Sequence, residues 1–198
     1  MVGQTLGETT MTILIAGLAL FFGIHSVRIV AGGFRDAQIA ANPGRWKGLY
    51  SLVSAAGFGL MIWGWMQYRP AAPVLYDPPA WGRHLAMTLI LPAFILLIAS
   101  QGPSGRIRAA VRNPMLIAVV LWAFAHLMAN GDLASVILFG AFLAYAAVDL
   151  VSVSLRGDPA PPRGAVVSDV IAVVFGSGLY VLFLLFAHRW MFGVSPLG

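Results

Sequence analysis

The chain has 198 residues, of which 60% are hydrophobic and only 10% charged, and its mean hydropathy is +0.86. Soluble domains carry about a quarter charged residues, so this composition excludes an ordinary soluble globule, and the length admits one compact transmembrane domain without a second soluble one. The net charge of +5 is no nucleic-acid footprint, because its carriers lie between apolar runs; the absence of cysteine excludes disulfides, thiolate metal sites and thiol catalysis.

A bilayer core of about 30 Å takes about twenty apolar residues per helix, and that ruler gives six segments: 11–31, 46–68, 80–100, 113–129, 132–155 and 166–187. The first has no basic residue before it and is expected as a retained span, not a cleaved signal. Residues 1–10 then form an N-terminal extension to a single transmembrane domain over 11–198, with Met1 or Met11 as the start. Turn-forming residues fall in every gap: Gly32-Gly33 and Asn42-Pro43-Gly44, Arg69-Pro70, Asp77-Pro78-Pro79, Gly102-Pro103, Asn130-Gly131 and Asp158-Pro159. The expected fold is therefore all-α, a polytopic bundle of six transmembrane helices.

Nine of the twelve basic residues lie at odd-numbered loops, including Arg28, Arg35, Arg45 and Lys47 at the first and Arg106, Arg108 and Arg112 at the third. Positive charge stays on the cytoplasmic side, so both termini are expected outside. Within the spans, Pro92 predicts a kink that leaves the Thr88 carbonyl without its helical partner. Ser51, Ala55 and Gly59, four apart on the second span, form a small-residue stripe for close helix contact, as do Ala172 and Gly176 on the sixth. Asn113-Pro114 predicts an N-cap followed by proline at the first helical position. Trp46, Trp81 and Trp190 fall at predicted interfaces. Asp169 is placed to complement the N-terminal dipole of the last span, and Asp149 to pair with Arg156 or Arg28.

Ionisable side chains are costly in hydrocarbon, which singles out His25 in the first span and His126 in the fourth; His84 and His188 fall at the outer interface. The stretch Ala129-Asn130-Gly131-Asp132 predicts a tight helical hairpin, with Gly131 in a left-handed turn and Asp132 capping the next helix. That accounts for the hairpin and leaves His126, one turn deeper, without an explanation. Two intramembrane histidines on different helices suggest axial ligation of haem iron, with Arg28 beside His25 pairing with a propionate. Against that pairing, the depths of His25 and His126 along oppositely directed spans differ by ten residues, about 15 Å at 1.5 Å per residue. Pairing of His126 with His84 or His188, around haem or with Asp77 or Asp132 around a divalent metal, competes with it.

The segments "GLALFFGIHS", "WKGLYSLVSAAG", "YDPPAWGRHLAM", "LILPAFILL", "NPMLIAVVLWAFAHLMANGDLASVILFG" and "HRWMFGV" together resemble the NnrU family, in the family's order and over nearly the whole chain from Met11. Many relatives have His-Pro where this chain has Asn113-Pro114. The resemblance implies a bacterial inner-membrane protein linked to denitrification, supporting nitrite and nitric oxide reduction. The family is also similar to plant 15-cis-zeta-carotene isomerase, a membrane haem protein, which implies haem b ligated by His25 and His126. A haem-dependent polyene cis–trans isomerase is the enzymatic alternative, with Phe21, Phe22, Trp122 and Phe124 along a substrate groove or in ordinary core. A cofactor-free assembly factor is the other alternative. The implied partners are the lipid bilayer and nitrite or nitric oxide reductase or haem-maturation proteins, with no nucleic acid. No triad order, HExxH or phosphate loop supports hydrolase or nucleotide chemistry.

Overall fold

The computed structural model describes residues 2–198, with side chains described from Gly7 onward. Among these residues the only regular structure is helical, apart from one isolated bridge between Val74 and Asp132. Helices α1 (Val2–Val30), α2 (Gly32–Ala41) and α3 (Pro43–Tyr68) are followed by a 3₁₀ turn at Arg69–Ala71. Helices α4 (Gly82–Gln101), α5 (Arg106–Val111), α6 (Pro114–Ala129) and α7 (Leu133–Arg156) come next. Helix α8 (Val166–Leu182) then runs through a π-helical turn at Phe183–Ala187 into α9 (His188–Phe192).

Five helical stretches are long and apolar enough to cross a membrane: Gly7–Val30, Pro43–Ala71, Gly82–Gln101, Leu133–Arg156 and Val166–Phe192. The remaining expected segment, the fourth (113–129), is α6, apolar but only 16 residues long, about 24 Å at 1.5 Å per residue. Its ends are fixed by Arg112, whose φ is 65°, and by extended backbone at Asn130. The expected extension, residues 1–10, has Met1 outside the described residues, and from Val2 onward its backbone continues α1. Two loop helices, α2 and α5, were not anticipated. At Asn42-Pro43 the sequence shows a cap and not only a break: the Asn42 side chain accepts from the Arg45 amide at 2.9 Å, with Pro43 in the first turn of α3.

The chain divides into two compact units, one comprising Met1–Leu75 with Asp132–Ala141, the other Tyr76–Gly131 with Phe142–Gly198. In the first, α1 packs on α3 through glycines. A Cβ on Gly57 would sit 2.7 Å from the Phe21 amide nitrogen, and one on Gly17 or Gly64 would strike the backbone of Met61 or Leu14. The contact face of α3 is thus Gly57, Met61 and Gly64, at helical spacing, and all three are buried, as are Trp65 and Tyr68. The expected stripe was the wrong face: Ser51, Ala55 and Gly59 are exposed, and nothing lies near a Cβ on Gly59. Hence Gly64→Val should lower stability by about 1–3 kcal/mol, the usual cost of overpacking, while Gly59→Ala should leave it unchanged or raise it. Thermal unfolding in detergent separates them; equal melting temperatures would refute this packing.

The first turns of α7 complete this unit with a polar cluster. Ser135 is fully buried; its hydroxyl donates to Asp132 Oδ2 at 2.8 Å and receives the Trp65 indole N–H at 3.4 Å. Arg69 pairs with the same carboxylate at 3.4 Å and lies over the Trp65 ring, so the buried polar groups are mutually satisfied.

The core of the second unit is built on alanine, with Ala93, Ala99, Ala118, Ala123, Ala125, Ala146 and Ala172 all buried. Small side chains let helix backbones approach where lipid provides no hydrophobic drive between helices. Gly176 continues this: a Cβ there would lie 2.6 Å from the Ile95 Cα, so the Ala172–Gly176 stripe does pack as expected. Large apolar residues such as Val174, Phe175, Leu182 and Phe186 face outward instead. Asp169 lies in the first turn of its own helix α8, as expected, and also acts across a loop, accepting from the Arg106 and Ile107 amides at 2.9 and 3.0 Å and so capping α5. Asp149 pairs with Arg156 at 3.8 Å.

Candidate functional site

The hairpin between α6 and α7 sets the height of His126. Asp132 caps α7 as expected, its Oδ1 accepting from the Ser135 amide at 2.8 Å. Asn130 Nδ2 donates to the His126 carbonyl at 2.9 Å. Gly131 is needed for a different reason than a left-handed turn, since its φ is not positive. A Cβ there would land on the carbonyl oxygen of Tyr76, whose amide donates to the Gly131 carbonyl at 3.4 Å and whose hydroxyl donates to the carbonyls of Leu127 and Asn130. The segment around Tyr76 therefore straps the end of α6, and the only residue that admits the strap is glycine. At the other end of α6, Asn113 holds the N-cap position before Pro114 but makes no side-chain cap bond, contrary to expectation.

Three histidines share one device. His25 Nδ1 lies 2.7 Å from the Phe21 carbonyl, His126 Nδ1 2.8 Å from that of Trp122, and His188 Nδ1 2.7 Å from that of Val194. A carbonyl only accepts, so Nδ1 carries the hydrogen, and in the neutral ring Nε2 carries the lone pair. Histidines that ligate metals are held in this way, with the outer-shell acceptor fixing the tautomer and raising the basicity of the other nitrogen.

Each histidine has its own setting. In the first unit His25 stacks on Phe21, with centroids 4.1 Å apart, and stands 5.1 Å from the Tyr50 ring; Arg28 is exposed in the last turn of α1. In the second unit His126 is part-buried beside Trp122, which in turn packs edge-on against Phe142. His188 opens α9 straight after the π turn, and the left-handed Gly193 (φ 70°) brings Val194 back to accept its Nδ1–H. The rings of His126 and His188 are nearly parallel, 20° apart, with centroids separated by 6.4 Å. His84 is exposed at the start of α4, in the wall of a cavity of about 690 Å³ with Arg83, Met87 and Ala129. Among the described residues no three histidine or carboxylate side chains gather to hold a metal ion.

An all-helical chain with five apolar helices long enough to cross a membrane is an all-α membrane protein. A family model described as NnrU protein matches residues 13–196, and the chain belongs to that family. No curated protein matches it, and no solved structure does. The π turn before His188 is what sequence reasoning missed.

Proposed function

We propose that this chain is a bacterial inner-membrane protein that binds haem b through intramembrane imidazole and supports nitrite and nitric oxide reduction. α6 serves as a sixth, short span, with odd-numbered loops cytoplasmic and both termini outside. The observation that carries the haem reading is the anchoring of Nδ1 on a backbone carbonyl at His25, His126 and His188, which presents Nε2 as the donor in each.

The donor set suits haem iron. Neutral imidazole is its ordinary axial ligand, and the alanine and aromatic surroundings suit an apolar macrocycle. His126 is common to every pairing; the family resemblance offers His25 as the second ligand and Arg28, one turn along α1, for a propionate. When bound, haem supplies a redox-active iron, while the protein's part is to fix the imidazole direction and exclude water. Protein purified from haem-replete cells should show a Soret band. Its absence, or a band unchanged when His25 and His126 are both replaced by alanine, would remove the reading.

A further inference from the structure

We propose that the connection between α1 and α3 is a binding surface for anionic phospholipid headgroups, built from α2 and the first residues of α3. It lies wholly within the first unit and uses none of the residues that the haem reading assigns.

Between two membrane-length helices, one ending at Val30 and the next beginning at Pro43, a ten-residue helix reaches no further than the bilayer surface. α2 packs on both of them yet buries none of its residues. Arg35 and Ile39, four apart, are half-buried, while Phe34, Ala37 and Ala41, at three- and four-residue spacing, are exposed. Phe34 is 57% exposed and Val30, just before α2, is 80% exposed, so the loop presents apolar surface that water does not favour. The Trp46 ring stands edge-on to Phe34, with centroids 6.2 Å apart, and an aromatic pair of this kind belongs at headgroup level. A short helix so placed lies in the interface plane, with its apolar side against the first acyl carbons.

The charge around that surface selects the headgroup. Residues 28–47 hold four cations and one acid, and the acid, Asp36, is already paired with Arg35 at 2.9 Å. Arg45 and Lys47 are exposed, and their side chains make no hydrogen bond or ion pair among the described residues. Neither serves its own helix, because the first turn of α3 has no acid and a helix N-terminus is already positive. Membrane orientation requires positive charge in the loop, but not two unpaired cations beside an interfacial aromatic pair. Phosphate oxygens at headgroup level satisfy both, and the Lys47 stem can lie along the apolar surface while its ammonium reaches them. A zwitterionic lipid offers its phosphate beside a cation of its own, so lipids of net negative charge are the ones this surface prefers.

The test measures binding of tail-labelled fluorescent phosphatidylglycerol and phosphatidylcholine, with matched acyl chains, to the delipidated full chain in detergent. The variants are Arg45→Gln with Lys47→Gln and, as a control of equal charge in the second unit, Arg112→Gln with Arg163→Gln. Wild type should prefer phosphatidylglycerol, and about 1 M salt, where the Debye length is about 3 Å, should remove the preference. The Arg45/Lys47 variant should bind phosphatidylglycerol about thirtyfold more weakly, the equivalent of about 1 kcal/mol for each cation, and phosphatidylcholine unchanged. The control should match wild type. Equal binding of the two lipids by wild type overturns the proposal, and so does equal loss in the two variants, which would show dependence on net charge alone. The absence of cysteine allows a second measurement, a single spin label at Ala37→Cys in phosphatidylglycerol nanodiscs. That label should be more accessible to oxygen than to a water-soluble nickel chelate; the reverse places α2 in water and overturns the proposal whichever lipid binds.

Discussion

His126→Ala protein is expected to insert into the membrane and to carry no cofactor at all. Alanine suits this helix, because α6 already buries Ala123 and Ala125 completely and its packing rests on small side chains. The hairpin does not depend on the imidazole: Asn130 reaches the His126 carbonyl, and Tyr76 bonds the carbonyls of Leu127 and Asn130. What the substitution removes is a ring whose direction is set by the Trp122 carbonyl and whose height is set by the strapped hairpin. Loss of a ligand common to every pairing should therefore take cofactor occupancy to background, while detergent-extracted yield and melting stay close to those of a cofactor-stripped wild type. The readouts are the haem-to-protein ratio and the Soret maximum. Full occupancy with an unshifted spectrum would make His126 a packed core residue with its Nδ1 satisfied by a carbonyl and no further role.

The apolar segments were readable because the bilayer imposes a length and a composition: the expected 46–68, 80–100 and 132–155 lie within a few residues of Pro43–Tyr68, Gly82–Gln101 and Leu133–Arg156. Which face of a helix packs was not readable, since α3 carries small residues around much of its circumference and hydropathy does not rank one face above another. Ser51, Ala55 and Gly59 had the regular spacing, yet Gly57 and Gly64 meet α1, and only the partner backbone distinguishes them. Asp132 was identifiable as a cap because that chemistry is local, whereas the reason for Gly131 lies at Tyr76, 55 residues away in the chain. His126 stood out by the cost of an ionisable group in hydrocarbon. The setting of His188 was invisible, because nothing in Phe-Leu-Leu-Phe-Ala marks a π turn and a histidine near a helix end has an ordinary reading at the interface.

Gly131→Ala should be among the most damaging single-methyl additions in the chain, costing about 3 kcal/mol, at the upper end of overpacking and roughly a hundredfold in the folded population. The added carbon meets a backbone carbonyl and not the end of a flexible side chain, so no rotamer change relieves it. To make room, the Tyr76 segment must lift from the hairpin, which strains the Tyr76 amide bond to the Gly131 carbonyl and the hydroxyl's bonds to Leu127 and Asn130. Gly82 faces the same hairpin, with the Met128 carbonyl in the way of its own Cβ, so relief by shifting α6 toward α4 is blocked as well. Because these bonds flank the His126 peptide, the variant should also release cofactor more readily than wild type at temperatures where both remain folded. Gly140→Ala is the matched control: nothing lies within 4 Å of its Cβ, and alanine in a helix interior should be neutral or stabilising by up to about 1 kcal/mol. Melting curves and cofactor dissociation rates of the two variants in one detergent provide the comparison. If Gly131→Ala melted with Gly140→Ala, the strap would not be what holds the hairpin and the height of His126 would need another cause.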